Sequence, residues 1–122
     1  MRFMRLFLAT ILFALATGAL HAAPVQPPVK AEIDALIARL GTSGCSFNRN
    51  GTWYTAADAK THLLRKLEYL EGKDLVKTTE QFIERGASSS SASGKPYLVK
   101  CGGTPVESRV WLSGELKKLR NR

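Results

Sequence analysis

The sequence predicts an α+β domain. A small three-stranded antiparallel sheet, built from a hairpin over 45–55 and a strand over 97–101, is packed with about four helices and tied by one disulfide. Three observations carry that expectation. Asn50-Gly51 sits between two short runs of β-prone residues, the strongest short signal for a hairpin because a type I′ turn needs positive φ at both central positions. Apolar residues recur at helical spacing on both sides of that hairpin. The chain holds two cysteines, Cys45 beside the hairpin and Cys101 at the end of a second β-prone run.

The first 22 residues read as a cleavable secretory leader. Arg2 and Arg5 precede an uncharged apolar run over 6–20, and small residues follow at Ala22 and Ala23. That run of 15 residues is shorter than the roughly 20 a spanning helix needs. Cleavage is expected after Ala22, since a cut after Ala23 would place Pro24 at the scissile bond. Removing Arg2 and Arg5 lowers the formal net charge from +8 to +6. Residues 23–29, with Pro24, Pro27 and Pro28, read as an extended tether to a single domain over 30–122.

Within that domain, Ile33, Leu36, Ile37 and Leu40 fall at i, i+3, i+4 and i+7 and predict a helix from Lys30 that ends at Gly41 to Gly44. A two-residue hairpin loop then pairs Arg49 with Thr52, Asn48 with Trp53 and Phe47 with Tyr54. Alternation places Cys45, Phe47 and Tyr54 on an inward face and Trp53 on the outer one. Asn50-Gly51-Thr52 also matches a glycosylation sequon, which the turn chemistry already explains. Thr55-x-x-Asp58 has the spacing of a capping box and opens a helix to about Leu70, with Ala59, Leu63, Leu67 and Leu70 on one stripe. Thr78-x-x-Gln81 opens a shorter helix ending near Gly86. Residues 88–94 form a Ser-rich loop, and 95–101 a strand that Pro96 confines to an edge or to a strand start. Gly102-Gly103-Thr104-Pro105 reads as a turn. The last helix runs to Leu119, and Gly114 inside it costs about 1 kcal/mol relative to alanine, so it depends on tertiary contacts.

In an exported chain an even pair of cysteines predicts a Cys45–Cys101 disulfide. Closing that loop is worth about 4 kcal/mol in the chain-entropy model. No CxxC motif is present to support a redox pair. The basic balance favours anionic partners without choosing among them, and the cluster Lys117-Lys118-Leu119-Arg120 is what a helix C-terminus favours for its dipole.

Few residues point to chemistry. Beyond the leader His62 is the only histidine, so a metal site is not expected, nor is a cofactor. The loop hydroxyls of Ser88, Ser91 and Ser93 offer nucleophiles and His62 or Lys95 a base, but no G-x-S-x-G elbow is present, and Ser-x-x-Lys fails because Ala92 stands three residues before Lys95. Gly94-Lys95 lacks the first glycine and the final Ser or Thr of a P-loop. The Ser/Gly loop with Lys95 beside it has the composition of an anion-holding loop, but a polar connector whose serines cap neighbouring backbone groups is the favoured reading. Tyr54, Trp53, Tyr97 and Trp111 are aromatic candidates for a carbohydrate or peptide groove, though core packing is enough to explain four aromatics in a small domain.

Several strings resemble a known family: Cys45-x-Phe47-x-Arg49-Asn50-Gly51-x-x-Tyr54, Ala59-x-x-His62-Leu63, Glu80-x-Phe82-Ile83, Ser93-Gly94-Lys95-Pro96-Tyr97 and Trp111-Leu112-x-x-x-Leu116. Together they are similar to the YfeK-like family of small exported bacterial proteins of unknown function, over about residues 33–119. The resemblance implies a periplasmic location in a Gram-negative cell and implies no reaction. The resulting expectation is a non-enzymatic periplasmic module that binds a protein or an anionic envelope component, without nucleic acid and with no membrane attachment except through an uncleaved leader. Its candidate surface comprises His62, Ser88, Ser91, Ser93, Gly94, Lys95, Tyr97 and Trp53. A small envelope hydrolase using a loop serine with His62 is the alternative. A lysozyme-type inhibitor is a further one, disfavoured by positive charge against basic lysozymes.

Overall fold

Four helices and a small antiparallel sheet follow one another along the chain, and the computed structural model describes residues 24–121. The expected leader and its cleavage position lie outside the described residues.

The first helix, α1 (Pro27–Gly41), begins three residues earlier than its apolar spacing predicts. Pro27 and Pro28 occupy its first turn, where the missing N–H groups have no intrahelical partner to lose. Val25 is buried before it, so this end of the expected tether is held against the domain. Ile33, Leu36, Ile37 and Leu40 are all buried, and α1 touches each of the other three helices. It is the central element of the core.

β1 (Ser46–Arg49) and β2 (Thr52–Tyr54) form the hairpin with Phe47 opposite Tyr54, Asn48 opposite Trp53 and Arg49 opposite Thr52. Asn50 (φ 52°) and Gly51 (φ 83°) supply the two positive φ values that the turn requires. Phe47 is buried and Trp53 is exposed, as alternation predicts. α2 (Ala56–Gly72) starts at Thr55, whose hydroxyl accepts the Asp58 N–H at 3.2 Å. α3 (Thr79–Gly86) starts at Thr78, which accepts the Gln81 N–H. At Gly86 a Cβ would fall 2.9 Å from Leu70 and 3.0 Å from Phe82, so its lack of a side chain lets α3 lie close to α2.

β3 (Leu98–Lys100) adds to the free side of β1, and the sheet order is β2-β1-β3-β4. The sheet therefore has four strands, not three. The extra one, β4 (Val106–Glu107), pairs Leu98 with Glu107 and Val99 with Val106. Two residues between a Gly-Gly-Thr-Pro turn and a helix start carry no readable alternation, so only the partner strand defines them. α4 (Ser108–Arg120) follows directly, and its Trp111 meets Phe47 edge-on at 6.2 Å between ring centroids. The Cys45–Cys101 disulfide closes the end of the β1–β3 pair. Two ion pairs join Arg120 of α4 to Glu32 of α1 and Glu80 of α3, tying three helices at the surface. No described helix is long and apolar enough to cross a membrane.

Candidate functional site

Three elements deliver polar side chains to one place. Arg49 is two residues after Phe47, so the strand's period of two turns it toward the same face. His62 and Lys66 lie four apart on α2 and share a helix face. Tyr97 precedes β3 and shares the inward face with Val99, which pairs with Phe47. Its backbone N–H donates to Ser88 O at 2.9 Å and its carbonyl accepts from Ser108 at 2.8 Å, so the residue is clamped from both sides.

The hydrogen bonds decide the protonation pattern. Arg49 Nη1 lies 2.8 Å from His62 Nδ1 and 3.5 Å from Nε2. A guanidinium only donates, so the nearer nitrogen accepts and a neutral ring carries its proton on Nε2. That Nε2–H donates to the Tyr97 hydroxyl oxygen at 3.0 Å. Lys66 Nζ donates to the same oxygen at 3.1 Å and to Ser89 O at 3.2 Å. With both lone pairs engaged, the Tyr97 hydroxyl keeps its own proton to give away. Arg49 also reaches the Tyr54 hydroxyl at 3.5 Å and lies 5.2 Å from the centre of that ring.

Electrostatics agree with this pattern. Burial, then the Arg49 charge, then those of Lys66 and Arg65, push the His62 pKa down to about 4, so the ring is neutral at ordinary pH. Burial and the neighbouring Arg49 lower the Lys66 pKa, and burial raises that of Tyr97 against the pull of Arg49. Among the described residues, none of Arg49, Arg65 and Lys66 has a carboxylate within ion-pair distance. A cavity of about 300 Å³ opens beside the cluster, with Arg49, Arg65, His62, Tyr54 and Tyr97 among its walls and Phe47, Ala59 and Leu63 supplying apolar surface. Asp58 lines it as well.

A family model described as a family of unknown function, DUF5329, matches residues 27–120. The chain belongs to that family. It is also similar to the uncharacterized protein YfeK of Salmonella typhimurium, with 38% identity over 76 residues, which are 62% of this chain and 62% of that protein. The chain thus spans about three fifths of that relative's length. No solved structure matches.

Of the residues singled out in the sequence, His62 and Tyr97 meet directly, with their rings 5.8 Å apart and nearly perpendicular. The serine loop serves a different end. Ser88 donates to Ile83 O at 2.6 Å. Ser90, which is buried, accepts from Ala92 N, Ser93 N and the Asn50 side-chain amide. Ser93 donates to Asn50 Oδ1 and accepts from Lys95 N. Gly94 takes a positive φ of 72° and closes the turn by donating to Ser90 O. Ser91 and Lys95 are exposed at the loop tip. The hydroxyls of Ser88, Ser90 and Ser93 therefore hold backbone and Asn50, while His62 holds Arg49 and Tyr97. Trp53 stands on the outer sheet face, 44% exposed, and is not among the residues lining the cavity. Among the described residues no group of three or more His, Cys, Asp or Glu gathers as a metal site.

Sequence reasoning missed Arg49, Lys66 and Asn50. The signal for Arg49 was present: a charged residue at an inward-facing strand position, two after a buried phenylalanine. Lys66 was marked only by its four-residue spacing from His62. Asn50 was already accounted for by its turn, which concealed its second role as an anchor for the serine loop.

Proposed function

We propose that this chain is a non-enzymatic binding module of the cell envelope, and that the cavity at Arg49, His62 and Tyr97 receives the anionic group of an envelope component. One observation carries the reading. Among the described residues, donors converge on the cavity and outnumber the one carboxylate in its lining, Asp58, which is not within ion-pair distance of either arginine: the Tyr97 hydroxyl proton, the guanidinium N–H groups of Arg49 not directed at His62 or Tyr54, and Arg65. A partly buried set of donors gains most from a ligand that brings acceptors, and an anion adds charge-assisted bonds. Periplasmic placement is supported by the disulfide, which belongs to an oxidising compartment, and by the sequence of the first 22 residues. Binding is preferred to catalysis because His62 is engaged by Arg49 and Tyr97 and has no serine hydroxyl as a partner.

Titration of the isotope-labelled, oxidised chain with sodium acetate and with inorganic phosphate tests this reading by NMR. Saturable shifts at Arg49, His62 and Tyr97, lost in Arg49→Gln, are the expected result. Absence of any saturable shift at these residues up to molar anion would overturn it.

A further inference from the structure

Resting on that reading of the cavity, we infer that the site is built for a small monocarboxylate carried on an apolar body. The cavity's lining mixes two chemistries. Arg49 and Tyr97 are donors, and Phe47, Ala59 and Leu63 bring hydrocarbon. A bare inorganic anion would satisfy the donors and leave that hydrocarbon in contact with water. A ligand with an apolar portion covers it, and each buried methylene tightens binding several-fold.

The size agrees. About 300 Å³ corresponds to about ten water molecules at roughly 30 Å³ each. This suits a branched, linear or aromatic acid of modest length and excludes a whole oligosaccharide or lipid. The charge is limited as well. Arg49 offers a planar fork matched to the two oxygens of a carboxylate, and with Arg65 and Asp58 also on the wall the charged residues of the lining sum to one net positive charge. His62 is held neutral between Arg49 and Tyr97 and adds no further positive charge. The same carboxylate chemistry is offered by a free organic acid and by the C-terminal residue of a peptide.

Calorimetric titration of the full-length oxidised chain separates these possibilities with five probes: acetate, hexanoate, phenylacetate, hexanamide and inorganic phosphate. Hexanoate or phenylacetate should bind at least tenfold more tightly than acetate or phosphate, and hexanamide should show no measurable binding. Equal affinity for acetate and phenylacetate would overturn the apolar-body inference while leaving the anion site standing. Tighter binding of phosphate would overturn the monocarboxylate assignment. Binding of none of the probes would remove both proposals.

N-acetyl-phenylalanine supplies the peptide arm. Affinity at or above that of phenylacetate supports a peptide C-terminus as the source, and much weaker binding supports a free acid. Arg49→Gln should lose at least tenfold in carboxylate affinity. Tyr97→Phe, which removes only a hydroxyl, should lose several-fold, and unchanged affinity in both variants would place the carboxylate elsewhere.

Discussion

Replacing Arg49 with glutamine should raise the pKa of His62, but by less than the full interval to an ordinary histidine. His62 is held at about 4 against 6.5 for the unperturbed ring, first by burial and only second by the Arg49 charge. Glutamine keeps a donor for Nδ1 and removes the charge, so the Coulombic part is relieved and the burial part stays. At about 1.4 kcal/mol per pH unit, the whole interval amounts to about 3 kcal/mol for a fully shielded group. His62 is half-buried, and solvent screening reduces this to about 1–2 kcal/mol. The sign follows from proton counting. Between pH 6.5 and about 4 the unfolded chain binds more protons at this residue than the folded one, so stability is full above pH 6.5 and falls as the pH drops toward 4. The ring proton signals of the full chain, with the His21 signal distinguished by comparison with His62→Gln, measure the pKa directly. Urea unfolding at pH 7 and pH 4.5 measures the consequence. The loss on acidification should be about 1–2 kcal/mol greater in the native chain than in His62→Gln. Glu32, Glu80 and Glu115, whose pKa values are lowered, titrate in both proteins and cancel in the difference. A native His62 titrating near 6.5, or a larger rise in Lys66→Gln than in Arg49→Gln, would refute the reasoning.

Replacing both Cys45 and Cys101 with alanine should cost about 4 kcal/mol in urea unfolding at pH 7, the chain-entropy value for the loop they close. Asn50→Gly keeps the positive-φ turn but releases Ser90 and Ser93, and should cost about 1–2 kcal/mol while speeding amide exchange in the loop 90–95. Unchanged exchange there would show that the asparagine tie does not hold the loop. Phe82→Ala empties a fully buried position at the junction of α2 and α3 and should cost about 3–5 kcal/mol in the same melts.

The elements whose signals are local were legible in the residues alone. Asn50-Gly51 specifies its own turn through backbone sterics, and that turn sets the register of Phe47, Asn48 and Arg49 against their partners. The spacing of Ile33, Leu36, Ile37 and Leu40 needs no partner to define a buried face, and Thr55 and Thr78 mark helix starts by capping chemistry within three residues. Pairing of Cys45 with Cys101 followed from count and compartment. What the local sequence could not decide depended on neighbours distant along the chain. β4 exists because β3 offers it a free edge. The serine loop carries nucleophile-like residues in its sequence, yet the hydroxyls of Ser90 and Ser93 are engaged by Asn50, about 40 residues away, and by the loop's own backbone, and that of Ser88 by Ile83 O. His62 was visible as a lone histidine. Its neutral state, its tautomer and its place in a donor-rich cavity come from Arg49 on a strand and Tyr97 beside another. A hydrogen bond acts only over about 3 Å, so a site assembled from three elements has no signature in any one of them until the chain has brought them together.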